Sequence, residues 1–213
     1  MDKKVVVVLD AGHGGISPET GKYVTDGKRS PKWRDMPQYF EGVGNREIVA
    51  VVSEKLDKLA IHHEFTVHPH DWNDMPLWER KGVVNHYFRK YRKEDKDVFS
   101  ISIHSNGFHK PSGRGAEVWT WPGQTMSDPM AEIWMEEHAK MFPDMRLRTD
   151  SSDGDMDKES KFTMNSVRCP SFLIESMFHT NKKECAILNS KEGKEKIAQG
   201  IVNAIVRIIE ELY

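Results

Sequence analysis

Apolar runs and amphipathic stretches alternate along the chain, and each marks one kind of element. Residues 5–9 are a continuous apolar run, the mark of a strand buried on both faces. Residues 10–40 read as a long loop rich in Gly, Pro, Lys and Asp, with Trp33, Tyr39 and Phe40 embedded in it; loops of that length in a compact domain are functional or disordered. Ile48, Val52, Leu56 and Leu59 recur at helical spacing and predict a helix over 45–59. A short strand is expected at 65–67. Leu77, Val84, Tyr87, Phe88 and Tyr91 trace a second helix from near Pro76, a residue suited to a first turn. Strands are expected at 98–103 and 116–121. A helix opens at Asp128-Pro129 and runs to about Met141, where Pro143 stops it. Residues 144–161 are polar, without apolar period, and read as a loop. A strand at 171–174 leads into Glu175, and Ile197, Ile201, Ala204, Ile205, Ile208 and Leu212 form the stripe of a last amphipathic helix. Strands alternating with helices predict an α/β sheet with helices on its faces.

Composition narrows the class. The chain of 213 residues can bury a good core as one domain. With 31 basic and 33 acidic residues the net charge is −2, so charge gives no case for nucleic acid or an anionic membrane. A charged fraction of 30% and a mean hydropathy of −0.65 describe a heavily solvated surface. No apolar run approaches the ~18 residues of a membrane span. The apolar stretch at 5–9 is too short for the core of an export leader. Cys169 and Cys185 are too few and too irregularly placed for a disulfide framework and read as free thiols.

Two segments carry the chemistry. In each, a β-rich run stops at a histidine among small residues: Asp10-Ala11-Gly12-His13-Gly14-Gly15 and Ser102-Ile103-His104-Ser105-Asn106-Gly107. Neighbouring strands bring such ends close together, and two imidazoles with a carboxylate suggest a zinc site with an open position. Glu41 and Glu47 are the candidates for the third ligand. Glu47 would lie one turn inside the helix as an ordinary first-turn acid, whereas Glu41 precedes the helix and can point freely, which favours Glu41. Glu175 ends an apolar strand and should lie in a polar cleft; taken alone it reads as a strand-end carboxylate bonded to backbone amides.

Other signals are weaker. His63-Glu64 resembles the start of a His-Glu-x-x-His motif, but the next histidine, His68, is one position too far. His68 and His70 read as strand-edge or loop residues. Gly15…Gly21-Lys22 misses a phosphate loop by one spacer, with Tyr23 where Ser or Thr must stand. Met130, Trp134, Met135 and Met141 read as helix packing.

Taken together, the motifs resemble the zinc-dependent N-acetylmuramoyl-L-alanine amidases of bacterial and phage cell-wall hydrolases, over nearly the whole length. Val7 to Gly15 is similar to the family's opening strand and first zinc histidine. Phe40-Glu41-Gly42-Val43-Gly44-Asn45 is similar to its zinc glutamate with an asparagine four residues on, a spacing that selects Glu41 over Glu47. Ser102 to Gly107 matches the second zinc histidine, Gly115-Ala116-Glu117-Val118 the strand that follows, and Pro170 to Asn181 the segment of the catalytic glutamate. The chain departs at Met177, where the family commonly has glycine.

The resemblance implies a single α/β domain over 1–213, the catalytic amidase domain, with an open, twisted, mostly parallel sheet and helices on both faces. It implies one zinc ion per chain held by His13, Glu41 and His104, with Glu175 as the catalytic acid–base. It implies peptidoglycan or a muropeptide as substrate, with no nucleic acid and no membrane insertion, and says nothing of oligomeric state. Trp33, Tyr39 and Trp121 are expected as walls for the glycan or stem peptide. Action on the extracytoplasmic wall, with no leader legible, leads to the expectation of a phage lysin released at lysis or a secreted chain trimmed of its leader. Two rival readings are a non-catalytic peptidoglycan-binding or regulatory protein on the same fold and a zinc hydrolase of another amide. An absent ligand or acid would favour the first, but all four positions are occupied.

Overall fold

The computed structural model describes residues 4–150, 152 and 154–213. Its centre is a six-stranded sheet in the order β2-β1-β3-β6-β4-β5, built from β1 (Val5–Ala11), β2 (His63–Phe65), β3 (Asp97–Asn106), β4 (Glu117–Thr120), β5 (Lys158–Glu159) and β6 (Ser171–Phe178). β2, β1, β3 and β6 run parallel, while β4 pairs antiparallel with β6 and parallel with β5. The sheet is therefore open and mostly parallel, in one domain, as the alternation of strands and helices predicts.

Each face of the sheet has its own apolar layer. Val5, Val7, Leu9, Phe99, Ile101, Ile103, Phe172 and Ile174 face one side, against α1 (Glu41–Lys58), α3 (Asp128–Met141) and α5 (Lys191–Leu212). Val6, Val8 and Val98 face the other, against Val84 and Tyr91 of α2 (Leu77–Arg92). Every residue of β1 is buried, as a valine run covered on both sides requires. Met130, Trp134 and Met135 are fully buried core residues of α3. Cys169 and Cys185 are buried free thiols. No helix among the described residues is long and apolar enough to cross a membrane.

Several boundaries differ from the sequence reading. α1 begins at Glu41, four residues earlier than predicted, because Gly42 and Gly44 are there for close approach rather than for helix propensity. A Cβ on Gly42 would sit 2.0 Å from the Gly14 carbonyl oxygen, and one on Gly44 would sit 2.1 Å from the Tyr39 hydroxyl. Residues 10 and 11 belong to β1 rather than to the loop. β2 starts at His63 instead of residue 65. β6 runs on past Glu175 to Phe178, across a register irregularity between His104 and Asn106. β5 lies inside the stretch read as a polar loop. α4 (Lys182–Asn189) was not anticipated, although Asn181 caps it by accepting from the Lys183 and Glu184 amides, a short-range signal present in the sequence.

Candidate functional site

The carboxyl ends of β1 and β3 meet where their sequences place the histidines. His13 stands one residue beyond the end of β1 and holds a left-handed backbone, φ +65°, a conformation few non-glycine residues adopt. Two buried arginines fix it. The His13 carbonyl oxygen accepts from Arg46 Nη1 at 2.6 Å and from Arg80 Nη2 at 2.9 Å. Arg80 also donates to Asp10 Oδ1 at 2.8 Å and to the Ala11 carbonyl at 2.6 Å, and Asp10 accepts from the hydroxyls of Thr66 and Ser102. Burial alone would raise the Asp10 pKa, but the Arg80 charge and these bonds hold it below its ordinary value. Asn45 Nδ2 donates to the Gly12 carbonyl at 3.1 Å, tying the same turn to α1.

Glu41, the first residue of α1, lies between the two imidazoles. Its Oε1 is 3.0 Å from His104 Nδ1 and 3.3 Å from His13 Nε2, and it accepts from the Ser105 amide at 3.3 Å. The two rings stand perpendicular, 4.9 Å between centroids. Burial works to raise the Glu41 pKa; the His104 hydrogen bond and the close approach of both imidazoles outweigh it and hold the carboxyl well below the usual range. The expectation that Glu41 precedes the helix and points freely is corrected: it is a buried first-turn residue whose direction α1 sets. Glu47 turns away, paired with Lys194 of α5 at 2.5 Å.

One nitrogen or oxygen from each of His13, Glu41 and His104 lies within 4.8 Å of the other two, so the three could hold a metal ion. A test of fit is the state of His13 Nε2. It is buried, and its near polar neighbour, Glu41 Oε1 at 3.3 Å, stands outside good hydrogen-bond geometry, a costly condition that a bound cation would relieve. His104 packs so tightly on the first turn that a Cβ on Gly12 would sit 2.1 Å from its Cε1.

Glu175 sits on the neighbouring strand in register with His104, and on its other side in register with Glu117 of β4. The three side chains therefore share one face and one row of the sheet. Burial, then the negative charges of Glu41 and Glu117, push the Glu175 carboxyl well above the usual carboxylate range. Its Oε2 is buried without a hydrogen-bond partner among the described residues. This corrects two expectations, since Glu175 lies inside β6 rather than at its end, and Oε2 accepts no backbone amide. Glu117 is saturated by comparison, accepting from Asn106 Nδ2, Arg148 Nε and Lys158 Nζ.

The remaining candidates fall elsewhere. Tyr39 is buried in the core and stacks on His179, so it is no exposed wall. Trp33 packs half-buried against the main core. Trp121 lines a cavity with Cys169 and Pro170, which precede β6, and so lies at the opposite edge of the sheet. His68 and His70 are exposed loop residues. The sequence reading missed Arg46 and Arg80. Arg80 had a signal, a charge on the apolar stripe of its helix between Leu77 and Val84.

A mostly parallel sheet that gathers a possible metal group and an isolated buried acid at its carboxyl edge is hydrolytic in kind. The family profile of N-acetylmuramoyl-L-alanine amidase matches residues 7–207. The chain belongs to that family, a hydrolase and peptidoglycan amidase as the sequence resemblance implies. It is 22% identical over 243 residues to N-acetylmuramoyl-L-alanine amidase AmiA of Escherichia coli strain K12, covering 95% of this chain and 75% of that one. In fold it is similar to the crystal structure of N-acetylmuramoyl-L-alanine amidase from Clostridium difficile 630, with TM-score 0.75, 21% identity and 99% of each chain covered. It is similar also to amidase AmiC2 of Nostoc punctiforme, with TM-score 0.73, 18% identity, and 99% and 100% of the two chains covered.

Proposed function

We propose that the chain is a zinc amidase that cleaves the amide between the lactyl group of N-acetylmuramic acid and the L-alanine of the stem peptide, acting on the extracytoplasmic cell wall. His13, Glu41 and His104 would hold the ion; two neutral imidazoles and one carboxylate suit zinc and leave the site net positive. When bound, zinc supplies an acidified water and a charge that favours a developing oxyanion. The chain's own residues do the rest. Glu175, the only acid in that row without a saturating partner among the described residues, takes a proton from water at its carboxylate as the carbonyl is attacked, and returns it to the departing alanine amine. Burial, and then the charges of Glu41 and Glu117, raise the affinity of Glu175 for that proton. Arg46 and Arg80 keep His13 in its left-handed turn.

The observation that carries this reading is the row of His104 and Glu175 on paired strands, with Glu41 and His13 closing on His104 from the next elements. A defined muropeptide and mass analysis of its products test it. Glu175→Gln is expected to keep bound zinc and the fold while turnover falls about 10²–10⁴-fold. Turnover by Glu175→Gln at the wild-type rate would show that another group moves the proton.

A further inference from the structure

The cavity beside His13 and His104, about 290 Å³, is lined also by Met75, Pro76 and Leu77 at the start of α2. Met75 is also a wall of a second, open groove of about 500 Å³ that continues along α2 past Trp78, Gly82 and His86. Met75 lines both spaces, so the groove begins next to the cavity that holds His13 and His104. Trp78 is 72% exposed and Leu77 54% exposed. Leu77 borders the cavity and Trp78 the groove, so each space has one exposed apolar side chain at its rim.

Trp78, Gly82 and His86 recur every four residues and so lie along one stripe of the helix. Glycine weakens a helix interior, yet a Cβ on Gly82 would meet nothing within 4 Å among the described residues, and its φ is not positive. Neither packing nor backbone conformation asks for glycine there. What glycine provides is a flat floor between the indole of Trp78 and the imidazole of His86.

The opposite flank of the site, beyond Glu175, differs in character. Glu117 there gathers the two cations Arg148 and Lys158. On the α2 side, Asp10, Asp74 and Arg80 line the cavity next to His13, and beyond them the groove is walled by Met75, Trp78, Gly82, Val83, His86 and Tyr87, with Glu79 its one carboxylate. The substrate proposed above has two halves: a stem peptide bearing carboxylates, and a strand of N-acetylated sugars whose lactyl carboxyls are tied up as amides. Resting on that reading, we infer that the groove along α2 seats the sugar strand, with Trp78 stacked on the apolar face of one ring and the Gly82 floor clearing room for the next.

The test is calorimetric titration with an uncharged N-acetylglucosamine tetramer as probe, on the full chain and on its Trp78→Ala and Gly82→Leu variants, with thermal unfolding of each as the control. Wild type is expected to bind the probe. Both substitutions should weaken binding at least tenfold without lowering the unfolding midpoint, which Gly82→Leu is expected to raise. Should Gly82→Leu fail to fold, Trp78→Ala decides alone, because its side chain is largely free of the core. A wild type that ignores the tetramer, a Trp78→Ala variant that binds it equally, or a Trp78-dependent dimer in place of sugar binding would overturn the assignment. No turnover enters this measurement. An inactive chain that binds the sugar would leave the groove standing, and a groove that fails would leave the amidase reading standing.

Discussion

His13 shows how much of a site is held by residues with no chemistry of their own. Its left-handed turn persists because Arg46 and Arg80, 33 and 67 positions away in sequence, both donate to its carbonyl. The glycines and histidines of the two turns were legible, since small residues beside a histidine at a strand end form a local pattern. The arginines were hard to read because long-range contacts decide their role. Gly12 tests the tightness of this packing. A Cβ there would overlap the His104 ring at 2.1–2.6 Å, so the ring must move. Gly12→Ala is expected to fold but to bind zinc at least tenfold more weakly in a chelator competition titration. Unchanged affinity would mean that the ring has more room than this contact allows.

At the scale of elements, strong periodicity was enough to locate α2 and α5, the Asp128-Pro129 start and the Pro143 stop were enough for α3, and the continuous apolar run was enough for β1. Boundaries failed where a residue serves a neighbour instead of its own element. Gly42 and Gly44 disguise the start of α1 because they admit the Gly14 backbone and the Tyr39 ring. β6 was cut short at Glu175 because a buried acid reads as an end, whereas it is a member of the strand facing the site.

Helix α3 carries a buried histidine with a measurable consequence. His138 stacks on Trp134 at 4.9 Å, its Nδ1 has no hydrogen-bond partner among the described residues, and burial pushes its pKa from 6.5 down to about 4. Between those values the unfolded chain binds a proton that the folded chain refuses. Stability from this residue is therefore complete above about pH 6.5 and is lost as the pH falls toward 4, by about 3 kcal/mol in all. Urea unfolding across that range should show His138→Leu losing less stability on acidification than wild type. Parallel slopes for the two proteins would contradict the assignment.

For the whole molecule, the alternation of strands and helices made an α/β sheet with two covered faces legible. The antiparallel turn of β4 was not, because a four-residue strand carries no mark of its direction. That turn matters, since it sets Glu117, with Arg148 and Lys158 paired to it, beside Glu175. The fold brings together residues from β1, α1, β3 and β6, and the central claim is that three of them, His13, Glu41 and His104, bind one ion. The most direct measurement is zinc content by elemental analysis after stripping and reloading, on the wild type and on folded His13→Ala and His104→Ala variants. One zinc per chain in the wild type, and less than a tenth of that in each variant, is the expected result. A wild type that retains no zinc, or a variant that still holds one ion per chain, would contradict it.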